Sequence, residues 1–267
     1  MNVVCAVSSM ECCSPFPSKT ESSPTLMSDL LSSFESDLSS NDYFFFYNFP
    51  ATDHGRTVKF NVSPIAPSFG DHARRWVNNA LVNVLTTIAW VETKLPSMRP
   101  LLHGSLVTLS SETTYAGDSH DILLVKSASN YGMDIEYYFP LERCREAIST
   151  AFAALENEPF LLNGVSAVRF IRAEDAYMSP FYSEQQDQVF CALDLFMSRA
   201  YDERLIEFAD NLFAKFGGRP HWGKNHNLTA DTVRKLYPKM DDFLAQREAI
   251  DPSGKFLNSH TRALLGL

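Results

Sequence analysis

Residues 133–140, Met133-Asp134-Ile135-Glu136-Tyr137-Tyr138-Phe139-Pro140, decide the fold. The run is rich in aromatic and branched apolar residues and reads as a strand. Pro140 suits the first position of a helix, where its missing N–H is no loss. The helix it opens has a stripe of Cys144, Ala147, Ile148, Ala151 and Phe152 to bury. Outward from there, Asp121 to Lys126 reads as a preceding strand, and Val165 to Arg172 and Gln188 to Phe196 as following ones. Tyr201 to Phe216 predicts an amphipathic helix closed by Gly217. Nearer the N-terminus, Ser28 to Ser39 reads as a short helix, and Tyr43 to Phe49 with Arg56 to Val62 as a hairpin turning at Asp53-His54-Gly55. Residues 72–93 show the clearest helical periodicity, with Trp76, Val77, Ala80, Leu81, Val84, Leu85, Ile88 and Val91 on one face and Pro96 beyond the end. Thr229 to Leu236 and Asp241 to Ile250 predict two short helices separated by Tyr237-Pro238. Strands and helices alternating with short links define an α+β chain, an antiparallel sheet covered by helices on one face.

Composition narrows the function. With 267 residues, 45% hydrophobic, the chain can bury one large core or two modest ones. A net charge of -9 argues against nucleic acid, because phosphate binding needs clustered Lys and Arg. Apolar runs are too short to span a bilayer, which leaves peripheral membrane association open. Five cysteines, at 5, 12, 13, 144 and 191, form neither a metal pattern nor an even disulfide set, so a reducing, cytoplasmic setting and no metal are expected. Asn61-Val62-Ser63 and Asn227-Leu228-Thr229 match the glycosylation acceptor pattern, a tripeptide common by chance. Residues 1–27 are Ser-, Pro-, Thr- and Cys-rich without apolar periodicity and are expected to be a disordered leader.

Chemistry concentrates near the C-terminus. Gly217-Gly218-Arg219-Pro220-His221-Trp222-Gly223-Lys224 lets the backbone approach a flat ligand while an indole and an ammonium flank it. Asp251-Pro252-Ser253-Gly254 begins a turn that runs on through Lys255-Phe256-Leu257-Asn258. Gly218 to Lys224 also fits Gly-x-x-x-x-Gly-Lys, but Asn225 follows in place of Ser or Thr, and the run comes after a helix, against a nucleotide loop. His221 and His226 stand five apart and miss the spacing that points two imidazoles at one metal. Glu174-Asp175 reads as a turn or helix start after a strand rather than a catalytic pair. The aromatics of 43–49 read as core.

Together the two C-terminal runs resemble the signature of the aldonolactone and alditol oxidases, the D-arabinono-1,4-lactone and L-gulonolactone oxidase family of flavoproteins. Asn41 to Asp53, Met133 to Pro140, and Val168-Arg169 through Asp175 to Pro180 resemble further family segments in the same order. The resemblance runs from about residue 28 to the end, with no motif between 66 and 120. It implies the substrate (cap) domain over 28–267, a flavin-edge segment over 217–267, and FAD as cofactor. Its eleven glycines include no Gly-x-Gly to cradle a dinucleotide, so a flavin-binding domain supplied in trans is an expected partner.

By resemblance, Lys224 lies by flavin and substrate, where a cation stabilises charge on the reduced ring. Arg169 orients the polar substrate, His221 and Trp222 shape the flavin edge, and Asn258 joins them from the closing turn. The plainer alternatives are a solvated lysine and a surface ion pair. Where the family pattern carries a carboxylate two residues before the arginine, this chain has Ala167. Asp194 replaces it if the two strands are neighbours. The implied reaction removes a hydride from a carbon bearing a hydroxyl of a sugar lactone or polyol, with oxygen as final acceptor, and no residue stands out as the base. A non-catalytic sugar-acid binding module and a truncated pseudoenzyme are the competing readings, the former favoured by Ala167.

Overall fold

A computed structural model describes residues 17–109, 112–118, 132–156, 166–198 and 202–267. The decisive run forms a strand over Gly132–Pro140, last but one in the order of an eight-stranded sheet. In chain order the strands are β1 (Pro17–Leu26), β2 (Tyr43–Asn48), β3 (His54–Val62), β4 (Thr113–Asp118), β5 (Gly132–Pro140), β6 (Ser166–Arg172), β7 (Val189–Ser198) and β8 (Arg219–Pro220). Across the sheet the order is β4-β1-β3-β2-β6-β7-β5-β8, and every described pairing is antiparallel. The helices are α1 (Met27–Ser40), α2 (Phe69–Lys94), α3 (Arg99–Leu109), α4 (Leu141–Glu156), α5 (Glu203–Phe213), α6 (Ala230–Leu236), α7 (Met240–Ile250) and α8 (Ser259–Leu265).

Side chains of a strand alternate between faces, and β5 divides its residues accordingly. Met133, Ile135, Tyr137 and Phe139 enter the main core with Phe44 and Phe46 of β2, Val168 and Phe170 of β6, and Cys191, Leu193 and Leu195 of β7. Helices α1, α4 and α5 cover this face through Leu30, Phe34 and Leu38, through Cys144, Ala147, Ile148 and Ala151, and through Leu205, Ile206 and Ala209. Phe170 gathers the rings of Phe34 at 5.3 Å and Phe44 at 5.8 Å. Each buried aromatic contributes roughly 1.5–3 kcal/mol of apolar burial. Only alternate aromatics of β2 thus serve this core. Pro140 ends the strand opposite Phe190 and α4 begins at Leu141, one residue later than expected; Leu155 is buried where Phe152 is only partly so.

The N-terminal expectation needs correcting. Residues 17–26, read as part of a disordered leader, form β1 between β3 and β4. The buried positions of β1 include Ser18, Thr20 and Ser22, so its alternation is polar and leaves no hydrophobic signal. Ser22 Oγ donates to the Thr57 carbonyl at 2.9 Å. Backbone ladders are indifferent to composition, and they hold this strand. Helix α2 occupies the expected span, but Trp76, Val77 and Val84, three residues of its apolar face, are exposed, whereas Glu92 is buried. Glu92 meets His103 at 2.6 Å and Arg99 at 3.6 Å across the turn into α3. No strand or helix was expected at α3, β4 or α8. The strand expected at Asp121 to Lys126 lies outside the described residues. No helix among the described residues is long and apolar enough to cross a membrane.

The end of α5 aims the chain back at the sheet. A single 3₁₀ turn over Ala214–Phe216 follows α5, then Gly217 takes the left-handed conformation at φ +67°. Gly218 N–H donates to the Phe213 carbonyl at 3.0 Å, a wrap that closes helices commonly. A Cβ on Gly218 would sit 2.6 Å from the Phe139 ring and 3.0 Å from the Phe213 carbonyl oxygen. Gly218→Ala should therefore destabilise the chain by about 1–3 kcal/mol, read as a lowered urea midpoint at unchanged slope.

Candidate functional site

The face of the sheet away from α1, α4 and α5 carries the charges. On β5, Asp134, Glu136 and Tyr138 occupy the positions that alternate with the core residues. Register then sets their neighbours. Glu136 pairs with Asp194, Asp194 with Ala167, Ala167 with Tyr47, and Tyr47 with Arg56, one row across five strands. In the next row Arg169 pairs with Ala192 and Ala192 with Tyr138. Asp194 thus lies directly across from Ala167, the adjacency its substitute role required.

The Gly217–Lys224 run supplies the last charge as an edge strand. Arg219 and Pro220 pair with Tyr138 and Tyr137 of β5. His221 N–H continues the ladder to the Glu136 carbonyl at 2.9 Å, and Asn225 N–H to the Asp134 carbonyl at 2.9 Å. Between them a turn, closed by Lys224 N–H on the His221 carbonyl at 3.1 Å, swings the lysine over the sheet. Its ammonium meets Asp134 at 2.9 Å, Glu136 at 2.9 Å and Asp194 at 3.2 Å. The Arg169 guanidinium reaches Glu136 at 2.6 Å and Asp194 at 3.4 Å. Lys224 and Arg169, far apart in sequence, hold the same two carboxylates.

Burial makes this cluster consequential. The Glu136 side chain is 2% exposed, so its charge depends on both cations. Burial pulls the Lys224 pKa down, but Asp194, Glu136 and Asp134 outweigh it and hold the group above the ordinary lysine value. Arg169 is treated the same way: burial lowers it, and Glu136 and Asp194 more than restore it. Asp194 goes the other way. Burial first, then its hydrogen-bonding contact with Asp134, push its carboxyl up to about 8 despite Lys224. Burial and the adjacent Glu136 drive the Tyr138 phenol upward too, leaving it a neutral donor.

The other expected residues fare differently. His221 sits beside the cluster, its ring 6.2 Å from that of Tyr138 and its Nδ1 accepting from Gly223 N–H at 2.9 Å. Trp222 turns into a separate small core with Val233, Tyr237, Met240 and Leu265; its indole N–H donates to the Met178 carbonyl at 2.7 Å. Asn258 caps α8, accepting from Thr261 N–H at 2.8 Å. The predicted turn is present, with Asp251 accepting from Lys255 and Phe256 N–H and Gly254 at φ +65°. Glu174 lies in the turn region after β6, bridged to Tyr182. Asp134 and Glu136 were not singled out from sequence, although two acids at alternate positions of an otherwise apolar strand were a usable signal. Two concavities, about 350 and 730 Å³, are lined by other residues, and in the cluster Arg169 is the more exposed cation while Glu136, Lys224 and Asp194 are largely covered.

This antiparallel sheet with its helices has the FAD-linked oxidase type of fold. The profile of the D-arabinono-1,4-lactone oxidase family matches residues 9–264, and the chain belongs to that family. The match begins well before residue 28, in keeping with β1. Among curated relatives, L-gulono-1,4-lactone dehydrogenase of Mycobacterium tuberculosis is 28% identical over 85% of this chain and 52% of its own length. L-Gulonolactone oxidase of Mus musculus is 27% identical over 94% of this chain and 58% of its own. Cholesterol oxidase from B. sterolicum shares the fold, with a TM-score of 0.69 at 15% identity, over 94% of this chain and 60% of that one. The chain therefore spans little more than half the length of these relatives.

Removing one cation should expose the charge balance. Lys224→Met is expected to cost about 3–5 kcal/mol at neutral pH in denaturant melts. Adding Glu136→Gln should recover part of that loss, giving a non-additive double-mutant cycle.

Proposed function

We propose that this chain is the substrate-binding half of a sugar-lactone oxidoreductase of the aldonolactone oxidase type, acting on a lactone or polyol. One observation carries the reading: Lys224 and the half-exposed Arg169 converge on Glu136 and Asp194 on the sheet face away from α1, α4 and α5. A polyhydroxy ligand suits such a face, because it offers donors to carboxylates and acceptors to cations at once.

The same face fits the edge of a flavin ring. Asp194 Oδ1 is buried without a hydrogen-bond donor, so a group bearing O–H or N–H is missing from its surroundings. When bound, FAD supplies the two-electron acceptor for hydride removal, with oxygen as the final oxidant in the oxidase members. Arg169, partly exposed, is the group best placed to grip a substrate oxygen, with Asp194 accepting from a hydroxyl. Lys224 holds positive charge where anionic character develops. His221 flanks the pair; Trp222 and Asn258 support the backbone around it and are not in the cluster. The pyrophosphate end of FAD needs a phosphate cradle, and a flavin-binding half acting together with this chain is the partner that supplies one.

A non-catalytic sugar-acid binding module is the second reading, favoured by Ala167, which leaves a methyl where the family pattern has a carboxylate. Saturation-transfer NMR of the full chain with L-gulono-1,4-lactone and D-arabinono-1,4-lactone tests both. Binding by the wild type, weakened about 10-fold or more in Arg169→Met and Lys224→Met, is expected from loss of one charged hydrogen bond. Equal binding by all three proteins refutes the site. Lactone-dependent bleaching of added FAD then separates oxidoreductase from binding module.

A further inference from the structure

We propose that Asp194 and Asp134 share one proton in the resting protein, and that this pair is the proton acceptor for the substrate hydroxyl. This rests on the lactone reading above and supplies the base that the sequence does not reveal.

Geometry and charge lead to it. Asp194 Oδ2 takes both cations, Arg169 at 3.4 Å and Lys224 at 3.2 Å, while Oδ1 is buried with no donor in reach. Across β6 its neighbour is the Ala167 methyl, which offers nothing. On the β5 side its direct partner is Glu136, and one row on stands Asp134, whose carboxylate meets the same Lys224 ammonium at 2.9 Å and whose Oδ1 is likewise buried without a hydrogen-bond partner. The Lys224 ammonium bridges the two carboxylates, and a proton shared between them removes the repulsion that one ammonium leaves. The groups facing Asp194 are Asp134, Glu136 and Tyr138 from β5, Arg169 from β6, Tyr47 from β2 and Lys224 from the edge segment. With Tyr47 and Tyr138 neutral, three carboxylates face two cations, and one shared proton brings the cluster to zero net charge.

An acid that ionises near 8 is a stronger base, once ionised, than an ordinary carboxylate. Once the shared proton has passed to solvent, the substrate O–H bond breaks and its proton goes to the Asp194 carboxylate. The oxygen's electron pair would then close the new C=O bond, and oxidised flavin, which the lactone reading requires, would supply the two-electron acceptor for the hydride. Proton, hydride and charge balance in that step.

Linkage gives a sign for stability. The folded carboxyl ionises near 8 and the unfolded one near 3.8, so the native state holds a proton that the unfolded chain lacks between those limits. Stability therefore declines as pH rises from about 4 to about 8.

The decisive experiment is a carboxyl-¹³C NMR titration of the aspartate-labelled full chain, with and without L-gulono-1,4-lactone, in wild type, Asp194→Asn and Asp134→Asn. One aspartate is expected to titrate near 8, to vanish in Asp194→Asn and to fall toward the ordinary range in Asp134→Asn. Lactone should displace that titration and move the Arg169 guanidinium signals together. No aspartate titrating above about 6 overturns the proposal in the wild type alone, whatever the variants do. If lactone moves Arg169 and leaves the high titration untouched, the proton acceptor is wrong and the lactone site stands. If the titration is present and lactone moves neither signal, the lactone reading itself falls, and the acceptor role with it.

Discussion

Glu136 is a carboxylate placed almost wholly out of water on one face of a sheet. A charge there is tolerated only with close partners, and the molecule provides two from different parts of the chain. Arg169 arrives through register, because β6 runs beside β7 and β7 beside β5. Lys224 arrives because α5 stops at a left-handed glycine and the next residues extend the sheet beyond β5. Most of the described architecture on the charged face can be traced to these two deliveries.

Much of the scaffold was legible. Strands β2, β3, β5, β6 and β7 and helices α1, α4, α5, α6 and α7 follow from periodicity and from their glycine and proline punctuation. The antiparallel sheet with helices on one face follows from their alternation. What escaped has a physical reason in each case. Strand β1 buries Ser and Thr rather than aliphatic residues, so a polar segment reads as disorder although its backbone is fully engaged. Helix α2 has a strong apolar stripe that the described fold leaves partly exposed at Trp76 and Val77. Periodicity there reports a helix and not what covers it.

The site was half legible. Lys224 and Arg169 come from recognisable motifs, and both reach the same carboxylates. Asp194 could be suspected, but its value depended on a register that no one-dimensional reading contains; the pairing Ala167–Asp194 supplies it. Asp134 and Glu136 were overlooked because they sit inside a run whose apolar members dominate the eye. Trp222 and Asn258 show the opposite failure: residues in suggestive motifs whose side chains are occupied with packing and capping.

The edge strand that carries Lys224 has one further consequence. Only Arg219 and Pro220 pair as β8, with His221 adding one bond and Asn225 two to the same neighbour. Fraying of such a short edge would ordinarily be cheap, yet peeling it away would strand three acids with one guanidinium. The lysine therefore acts as a latch whose grip depends on the charge of Asp194 beneath it. Local opening at this edge is thereby tied to solution acidity, and amide exchange along residues 219–225 becomes a gauge of the charge state below.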